Sequence, residues 1–225
     1  MTRRLFRAAA FITLVVIGSP IVAQGPSRAE HGEDRREQWQ KVDDVFQAMG
    51  VRPGGTVADL GAGDGFFTVR LAKAVGDQGK VYAIDIGADV LRRLRSRVAN
   101  EKLSQVEVIE GAVDDPRLPV GALDAVLIVN AYHEMKAFTE LLPRLKASLK
   151  PDGRLVIVEP IAPSRRDKSR DEQTRNHEIA IDFVKQETTA AGFVPVDMQD
   201  PFTTRSHAGD VMWMLVVRRE KGEQK

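Results

Sequence analysis

The amino-acid sequence predicts an α/β protein in which a mostly parallel β-sheet carries helices on both faces. Three observations favour this class: strand-like and helix-like segments alternate, the first strand is an apolar run suited to burial, and a glycine-rich turn follows it. Strands are predicted at about residues 56–60, 80–85, 106–110, 123–129 and 154–159. Helices are predicted between them, near residues 66–75, 88–99 and 137–148.

The segments on either side of this alternating region have patterns of their own. Residues 33–49 carry apolar side chains at helical spacing, which predicts one amphipathic helix. A further helix is predicted from about residue 171 to 191. Residues 192–199 (GFVPVDMQ) and 210–219 (DVMWMLVVRR) predict two more strands joined by a loop, which brings the total to seven.

Composition and charge limit the classes of function. At 225 residues the chain holds one main domain, predicted at residues 33–225, which is large enough to bury about 70% of its unfolded surface. Lys and Arg number 33 against 32 Asp and Glu, so there is no electrostatic case for nucleic acid as a partner. The sequence has no cysteine, which excludes disulfides, a lipid-bearing cysteine and a cysteine-bound iron–sulfur centre.

The N-terminal residues differ from the rest of the chain. Three arginines precede an apolar stretch at residues 8–18, a pattern that predicts a secretory signal peptide over residues 1–23 and a flexible linker over residues 24–32. The apolar stretch is shorter than the roughly 20 residues that span a bilayer. Cleavage after Ala23 would give a periplasmic or otherwise extracytoplasmic protein with no other membrane contact. An uncleaved anchor and a cytoplasmic protein are the alternatives.

A glycine-rich turn predicts a nucleotide-type ligand site. Residues 57–65 read VADLGAGDG, and Gly61, Gly63 and Gly65 allow the backbone to turn tightly and approach a ligand closely. The third glycine of a dinucleotide fingerprint would fall on Phe66, so that fingerprint fails. No G-x-x-x-x-G-K-[ST] run occurs, which leaves a triphosphate site without support.

Two carboxylates accompany this turn. Asp85 closes the next strand, VYAIDI, where a carboxylate can accept hydrogen bonds from both hydroxyls of a ribose. Asp59 stands two residues before the first glycine, where it would repel phosphate but can orient an amino group through water or backbone. The turn therefore suits a cationic or zwitterionic ligand better than a pyrophosphate.

These segments, in this order and spacing, resemble the class I S-adenosylmethionine (SAM) dependent methyltransferases. The resemblance continues through residues 109–115 (IEGAVDD), 124–135 (DAVLIVNAYHEM) and 149–160 (LKPDGRLVIVEP). It implies SAM as cofactor and a Rossmann-like doubly wound sheet of seven strands, mostly parallel with a C-terminal antiparallel hairpin. The cofactor-binding positions that it implies are Asp59, Gly61, Ala62, Gly63, Gly65, Asp85, Ile86, Ala112, Asp114 and Asn130. Asp114 either meets the adenine amino group or is a turn residue close before Pro116.

The implied activity is transfer of a methyl group to a small-molecule acceptor by in-line displacement. A sulfonium methyl is already activated, so positioning supplies much of the rate and at most one base is needed. The candidate catalytic residues lie at the ends of the fourth and fifth strands: His133, which titrates in a useful range, Tyr132 and Glu159. Each has a structural alternative, His133 as a helix cap or backbone partner. His177, on the last predicted helix, is a further candidate that could reach the opening of the site at these strand ends.

A metal site is not predicted, because His133-Glu134 lacks the second histidine of H-E-x-x-H and the four histidines are scattered. The alternative to an enzyme is an exported, non-catalytic protein that binds SAM or a nucleoside on the same scaffold. A nicotinamide oxidoreductase is a weaker option, since the third glycine is missing. The sequence does not indicate the acceptor, the acceptor atom that reacts or the oligomeric state.

Overall fold

The computed structural model describes residues 28–204 and 211–219, with side chains described from residue 32 onward. Its strands are β1 (Thr56–Leu60), β2 (Lys80–Asp85), β3 (Val106–Glu110), β4 (Leu123–Val129), β5 (Leu149–Ile161), β6 (Phe193–Thr204) and β7 (Val211–Arg219). Its helices are α1 (Arg28–Trp39), α2 (Val42–Met49), α3 (Phe66–Val75), α4 (Ala88–Asn100), α5 (Phe138–Ser148), α6 (Arg170–Arg175) and α7 (Ile181–Ala190). One-turn 3-10 helices lie at Tyr132–Glu134 and Pro163–Arg165.

The strands form one seven-stranded sheet in the order β3-β2-β1-β4-β5-β7-β6. The first five are parallel to one another, and β7 inserts antiparallel between β5 and β6. This arrangement confirms the predicted fold class, including the C-terminal antiparallel hairpin. The sheet order reverses between β1 and β4, so the carboxyl ends of β1, β2 and β4 frame a crevice where ligands bind in open α/β sheets.

Two apolar layers hold the sheet, one on each face. In β4, Val126 and Ile128 belong to one layer, and Ala125 and Leu127 belong to the other. All four side chains are fully buried. Burial on both faces explains why these strands are continuous apolar runs in the sequence instead of alternating ones.

The helix predicted over residues 33–49 is two helices in the structure. The chain breaks after α1 at Gln40 and Lys41, and Lys41 has the left-handed φ of 48°. Residues 28–32, predicted as part of a flexible linker, belong to α1. The two helices need different directions because α2 buries Val42 and Val45 on the sheet, whereas α1 is polar and is held over the glycine turn by ion pairs.

The helix predicted over residues 171–191 is likewise split, into α6 and α7. The segment between them docks back on β5: the N–H of Ile179 donates to the carbonyl of Pro160 at 3.1 Å. The indole of buried Trp213 donates to the carbonyl of Ile179 at 2.7 Å. These tertiary hydrogen bonds outweigh the helical periodicity of the segment.

No helix among the described residues is long and apolar enough to cross a membrane. The predicted signal peptide, residues 1–23, lies outside the described residues and stays a prediction.

Candidate cofactor site

The glycine turn between β1 and α3 forms the floor of the candidate site. Gly61, Gly63 and Gly65 have φ values of 78°, 55° and 80°, in the left-handed region that favours glycine. A Cβ atom on Gly61 would lie 2.5 Å from the Cβ of Ala131, so the turn passes against the loop that follows β4. Any larger residue at position 61 would force these two loops apart.

Asp85 at the end of β2 is anchored by three backbone N–H groups. Its Oδ2 accepts a hydrogen bond from Gly63 at 3.0 Å, and its Oδ1 accepts from Ile86 at 2.8 Å and Gly87 at 3.3 Å. The carboxylate therefore links the glycine turn to the β2–α4 loop. A carboxylate oxygen has two acceptor positions, so capacity is left for the hydroxyl groups of a ligand.

A cavity of about 370 Å³, here the Asp85 cavity, opens beside this carboxylate. It is lined by Leu60, Gly61, Gly63, Ile84, Asp85, Ile86, Val90, Ala112, Val113, Asn130, Ala131, Glu134, Met135, Lys136 and Leu141. Ile86 and Val113 are 58% and 64% exposed, unusual values for apolar side chains of this size. Exposed apolar groups beside a carboxylate suit a ligand with both a flat apolar part and hydroxyl groups.

A second cavity of about 240 Å³, here the Asp59 cavity, lies on the other side of the glycine turn. It is lined by Arg36, Trp39, Gln40, Asp59, Gly61, Ala62, Gly63, Asp64, Phe66, Phe67, Val129 and Asn130. The two cavities share Gly61, Gly63 and Asn130, so they meet at the turn. Asn130 has the left-handed φ of 51°, which asparagine tolerates better than most residues.

Charges of both signs line the Asp59 cavity. Asp59 is buried and accepts a hydrogen bond from the hydroxyl of Thr68 at 2.6 Å; burial raises the pKa of Asp59 to about 6. Arg36 of α1 lies over the ring of Phe66 at 4.0 Å and pairs with Asp64 at 3.1 Å. The cavity thus offers an anion and a cation to a zwitterionic group.

Eight of the ten predicted cofactor-binding residues line one of the two cavities. They are Asp59, Gly61, Ala62, Gly63, Asp85, Ile86, Ala112 and Asn130. Gly65 lines neither cavity; it is the N-cap of α3, and a Cβ there would meet Leu94 at 2.7 Å. Asp114 also lines neither: its carboxylate is half exposed and lies 4.0 Å from Arg144, which favours the turn-residue alternative.

The three predicted catalytic residues line neither of the two cavities. The expectation that their side chains lie at the opening of the site is therefore corrected. Glu159 and Tyr132 are fully buried and His133 is 4% exposed. The hydroxyl of Tyr132 donates to Glu187 at 2.7 Å, and burial and that negative charge raise the pKa of Tyr132. The loop after β4 turns through the 3-10 helix, which buries positions 132 and 133 and directs position 134 to the cavity.

Glu159 is the centre of a buried hydrogen-bond network under this loop. It accepts from the N–H groups of Ala131 and Tyr132 at 2.6 Å each, and its other oxygen lies 2.7 Å from Nδ1 of His133. Burial alone would lower the pKa of His133, but the hydrogen bond and charge of Glu159, with the charges of Glu134 and Glu178, raise it above its ordinary value.

Several lining residues were given no role in the sequence. Met135 and Lys136 line the Asp85 cavity beside Glu134, and Arg36 and Gln40 line the Asp59 cavity. Met135 and Lys136 directly follow the candidate segment Asn130–Glu134, so their order in the chain was a usable signal. The position of α1 depends on long-range ion pairs and offered no such signal.

Comparisons with known proteins agree with this fold. Residues 57–153 match a family model described as a methyltransferase domain. A demethylmenaquinone methyltransferase of Bacillus mycoides is 28% identical over 130 residues, 58% of this chain and 54% of that protein, so the match spans about half of the curated relative.

Two solved structures share the fold. A SAM dependent methyltransferase from Aquifex aeolicus superposes with a TM-score of 0.68 at 23% identity, over 83% of this chain and 96% of that one. The [4+2]-cyclase SpnF superposes with a TM-score of 0.71 at 18% identity, over 89% and 86%.

The fold is a Rossmann-like sheet of the kind found in a solved SAM dependent methyltransferase. Residues 57–153, less than half of the chain, are similar to a methyltransferase domain.

The buried carboxylate of Asp59 leads to a first prediction. Its pKa is about 6 in the folded protein against 3.8 for a free side chain, so between those values the folded state binds more protons than the unfolded state. Stability is therefore lost as pH rises from about 4 to 6, by at most about 3 kcal/mol. Asp59→Asn removes this cost and is expected to raise the unfolding free energy at pH 8, with no gain at pH 4. Urea denaturation at both pH values measures the difference.

The matched control for this prediction is Asp77→Asn, which changes an exposed carboxylate in the turn after α3. It should leave the unfolding free energy within about 0.5 kcal/mol of wild type at both pH values. Equal stability of Asp59→Asn and wild type at pH 8 would show that Asp59 is not desolvated in solution.

Proposed function

We propose that this protein transfers the methyl group of SAM to a small-molecule acceptor. The observation that carries the proposal is the pair of cavities that meet at Gly61 and Asn130, each with its own carboxylate. SAM has two polar ends, an adenosine and an amino acid, joined at a sulfonium centre. One cavity fits each end, and the shared residues lie where the sulfonium would be.

The Asp85 cavity takes the adenosine in this proposal. The ribose hydroxyls donate to Asp85, whose position is fixed by the three backbone N–H groups described above. The adenine lies between the exposed apolar side chains of Ile86 and Val113. Burying these groups against a flat ring is favourable by about 25 cal/mol for each Å² removed from water.

The Asp59 cavity takes the amino-acid end. Its ammonium group lies near Asp59, through water or backbone, and its carboxylate lies near the guanidinium of Arg36. A cation beside Asp59 stabilises the ionised form of that buried carboxylate, so cofactor binding offsets part of its desolvation. Desolvation of the Asp59 carboxylate therefore lowers the stability of the free protein, and the bound ligand reduces that loss.

Methyl transfer requires the protein mainly to position the acceptor and the methyl group of SAM. The acceptor attacks the methyl carbon, a new bond to that carbon forms, and the carbon–sulfur bond breaks with its electron pair going to sulfur. Among the described residues that line the Asp85 cavity, Glu134 and Lys136 are the titratable groups other than Asp85. His133, Tyr132 and Glu159 act by fixing the loop that carries Glu134, not by touching the acceptor.

The acceptor is not carried over from the relatives. Their name concerns demethylmenaquinone, but the family match ends at residue 153 and leaves out α1, α2 and residues 161–180. Of these parts, α1 borders the Asp59 cavity through Arg36 and Trp39. The cyclase among the structural neighbours also shows that this fold hosts more than one reaction.

Calorimetric titration tests the proposal. The chain without residues 1–23 is titrated with SAM, with its demethylated product and with NAD. Micromolar binding of the first two and none of NAD is the expected result. Absence of SAM binding contradicts the proposal. Binding of SAM without methyl transfer to any of a broad panel of oxygen, nitrogen and sulfur nucleophiles would favour the non-catalytic binding protein instead.

A further inference from the structure

Two of the scattered histidines come together in the fold. His133 in the 3-10 helix after β4 and His177 in the turn after α6 place their rings 5.7 Å apart, with Glu134 beside both. Nε2 of His133 lies 3.7 Å from the Glu134 carboxylate, and Nδ1 of His177 lies 3.6 Å from it. One ligand atom from each of the three residues falls within 4.8 Å of the others.

We propose that His133, Glu134 and His177 bind a divalent transition-metal ion of the zinc class. A tetrahedral zinc site has metal–ligand distances of about 2.0 to 2.2 Å, which put neighbouring ligand atoms about 3.3 to 3.6 Å apart. The two observed distances to Glu134 are close to this value. Glu134 and His177 are exposed side chains, so small rotations of both can close the remaining gap around a fixed His133.

The buried carboxylate of Glu159 prepares His133 for this role. When Nδ1–H of His133 donates to Glu159 at 2.7 Å, the lone pair of the neutral ring is on Nε2, the atom that faces Glu134 and His177. Metal-binding histidines almost always donate their other ring N–H to a carboxylate or carbonyl in this way. Glu159 is itself fixed by two backbone N–H groups, so the ring cannot turn freely.

The backbone at His177 supports the same conclusion. His177 has the left-handed φ of 57°, although its side chain is 76% exposed and gains nothing from burial. The docking of Ile179 against Pro160 holds the turn over the 3-10 helix and brings the ring to His133.

The ligand set selects the class of metal. Two imidazole nitrogens and one carboxylate suit zinc, cobalt, nickel or iron, whereas magnesium and calcium prefer oxygen ligands alone. Three protein ligands leave at least one position for water or substrate, as in catalytic zinc sites. Glu134 also lines the Asp85 cavity, so an open position on this side is next to the cofactor.

A role for the metal follows if the proposed function holds, and this step alone rests on it. A hydroxyl or thiol acceptor bound at the open position loses its proton to solvent more readily, because the cation stabilises the anion. That anion then attacks the methyl carbon while sulfur leaves with the electron pair of the broken bond. The metal would supply the activation for which none of the predicted bases is in position.

Metal binding is measured on protein purified without a histidine tag and stripped with a chelator. Zinc chloride is titrated calorimetrically, and cobalt is followed by its visible absorption, which reports coordination geometry. We expect one equivalent of zinc with micromolar or tighter affinity and a cobalt spectrum of four- or five-coordinate type. His177→Ala and Glu134→Gln, both exposed positions, should each weaken zinc binding by more than about tenfold.

The control is Glu140→Gln, an exposed carboxylate of α5 outside the cluster, which should bind zinc as wild type does. Absence of zinc binding overturns the inference, and so does binding that neither His177→Ala nor Glu134→Gln weakens. Titration of SAM into the metal-free wild-type protein runs in parallel. SAM binding without zinc binding overturns only the metal site, whereas zinc binding without SAM binding contradicts only the proposed function.

Discussion

Replacing Glu159 with alanine is expected to lower the free energy of unfolding by about 3 to 5 kcal/mol. Glu159 is fully buried and accepts three hydrogen bonds, from Ala131, Tyr132 and His133. Its removal leaves two buried N–H groups and one imidazole without their partner. Each unsatisfied donor costs about 1 to 3 kcal/mol.

Urea denaturation followed by circular dichroism measures this effect. Glu159→Gln keeps the shape and one acceptor oxygen, so it should be more stable than the alanine variant but less stable than wild type. Glu107→Ala is the control, because Glu107 is exposed on β3 and pairs with Lys80 at the surface. Such pairs contribute about 0 to 1 kcal/mol. A loss of less than about 1 kcal/mol in Glu159→Ala would mean that the network is absent in solution.

The parts of the fold that were predicted correctly depend on local patterns. The predicted bounds of β1, β2, β3 and β4 agree with the structure. β1 and β4 are short, mostly apolar runs suited to burial, whereas the edge strand β3 mixes apolar and acidic residues and is only partly buried. The bounds of α3 also agree, since glycine precedes it and follows it. These signals lie within ten residues of the element that they define.

The two helix breaks depend on contacts between distant parts of the chain. α1 is held over the site by Glu33, which pairs with Arg97 at 2.7 Å and with Arg70 at 3.3 Å. The break before α7 depends on hydrogen bonds to β5 and β7. Helical periodicity is present in both segments, but tertiary contacts determine where each helix ends.

Most of the predicted cofactor-binding residues line the two cavities because they lie in one turn and at neighbouring strand ends. The predicted position of the catalytic residues was wrong because the sequence shows only which strand end a residue follows. It does not show which side of the loop faces the cavity. Asn130 turns the chain with a positive φ, and the 3-10 helix then buries Tyr132 and His133. The approach of His177 to His133 crosses 44 residues and has no sequence signature.

Replacing Asp85 with alanine is expected to weaken SAM binding by on the order of tenfold to a hundredfold. The proposed ribose contacts are hydrogen bonds to a charged acceptor, worth about 1.5 to 3 kcal/mol. The same change removes the acceptor for Gly63, Ile86 and Gly87, so the glycine turn also loses a fixed contact to β2. Asp85→Asn keeps one acceptor oxygen and should lose less affinity than Asp85→Ala.

Calorimetric titration with SAM measures the affinities, and thermal denaturation shows whether each variant is folded. Glu110→Ala is the matched control, because Glu110 is the exposed register partner of Asp85 at the end of β3 and lines neither cavity. It should bind SAM as wild type does. Wild-type affinity in folded Asp85→Ala would place the ribose elsewhere. Equal losses in Asp85→Ala and Glu110→Ala would point to general attraction of a cationic ligand by carboxylates, not to hydrogen bonding between Asp85 and the ribose.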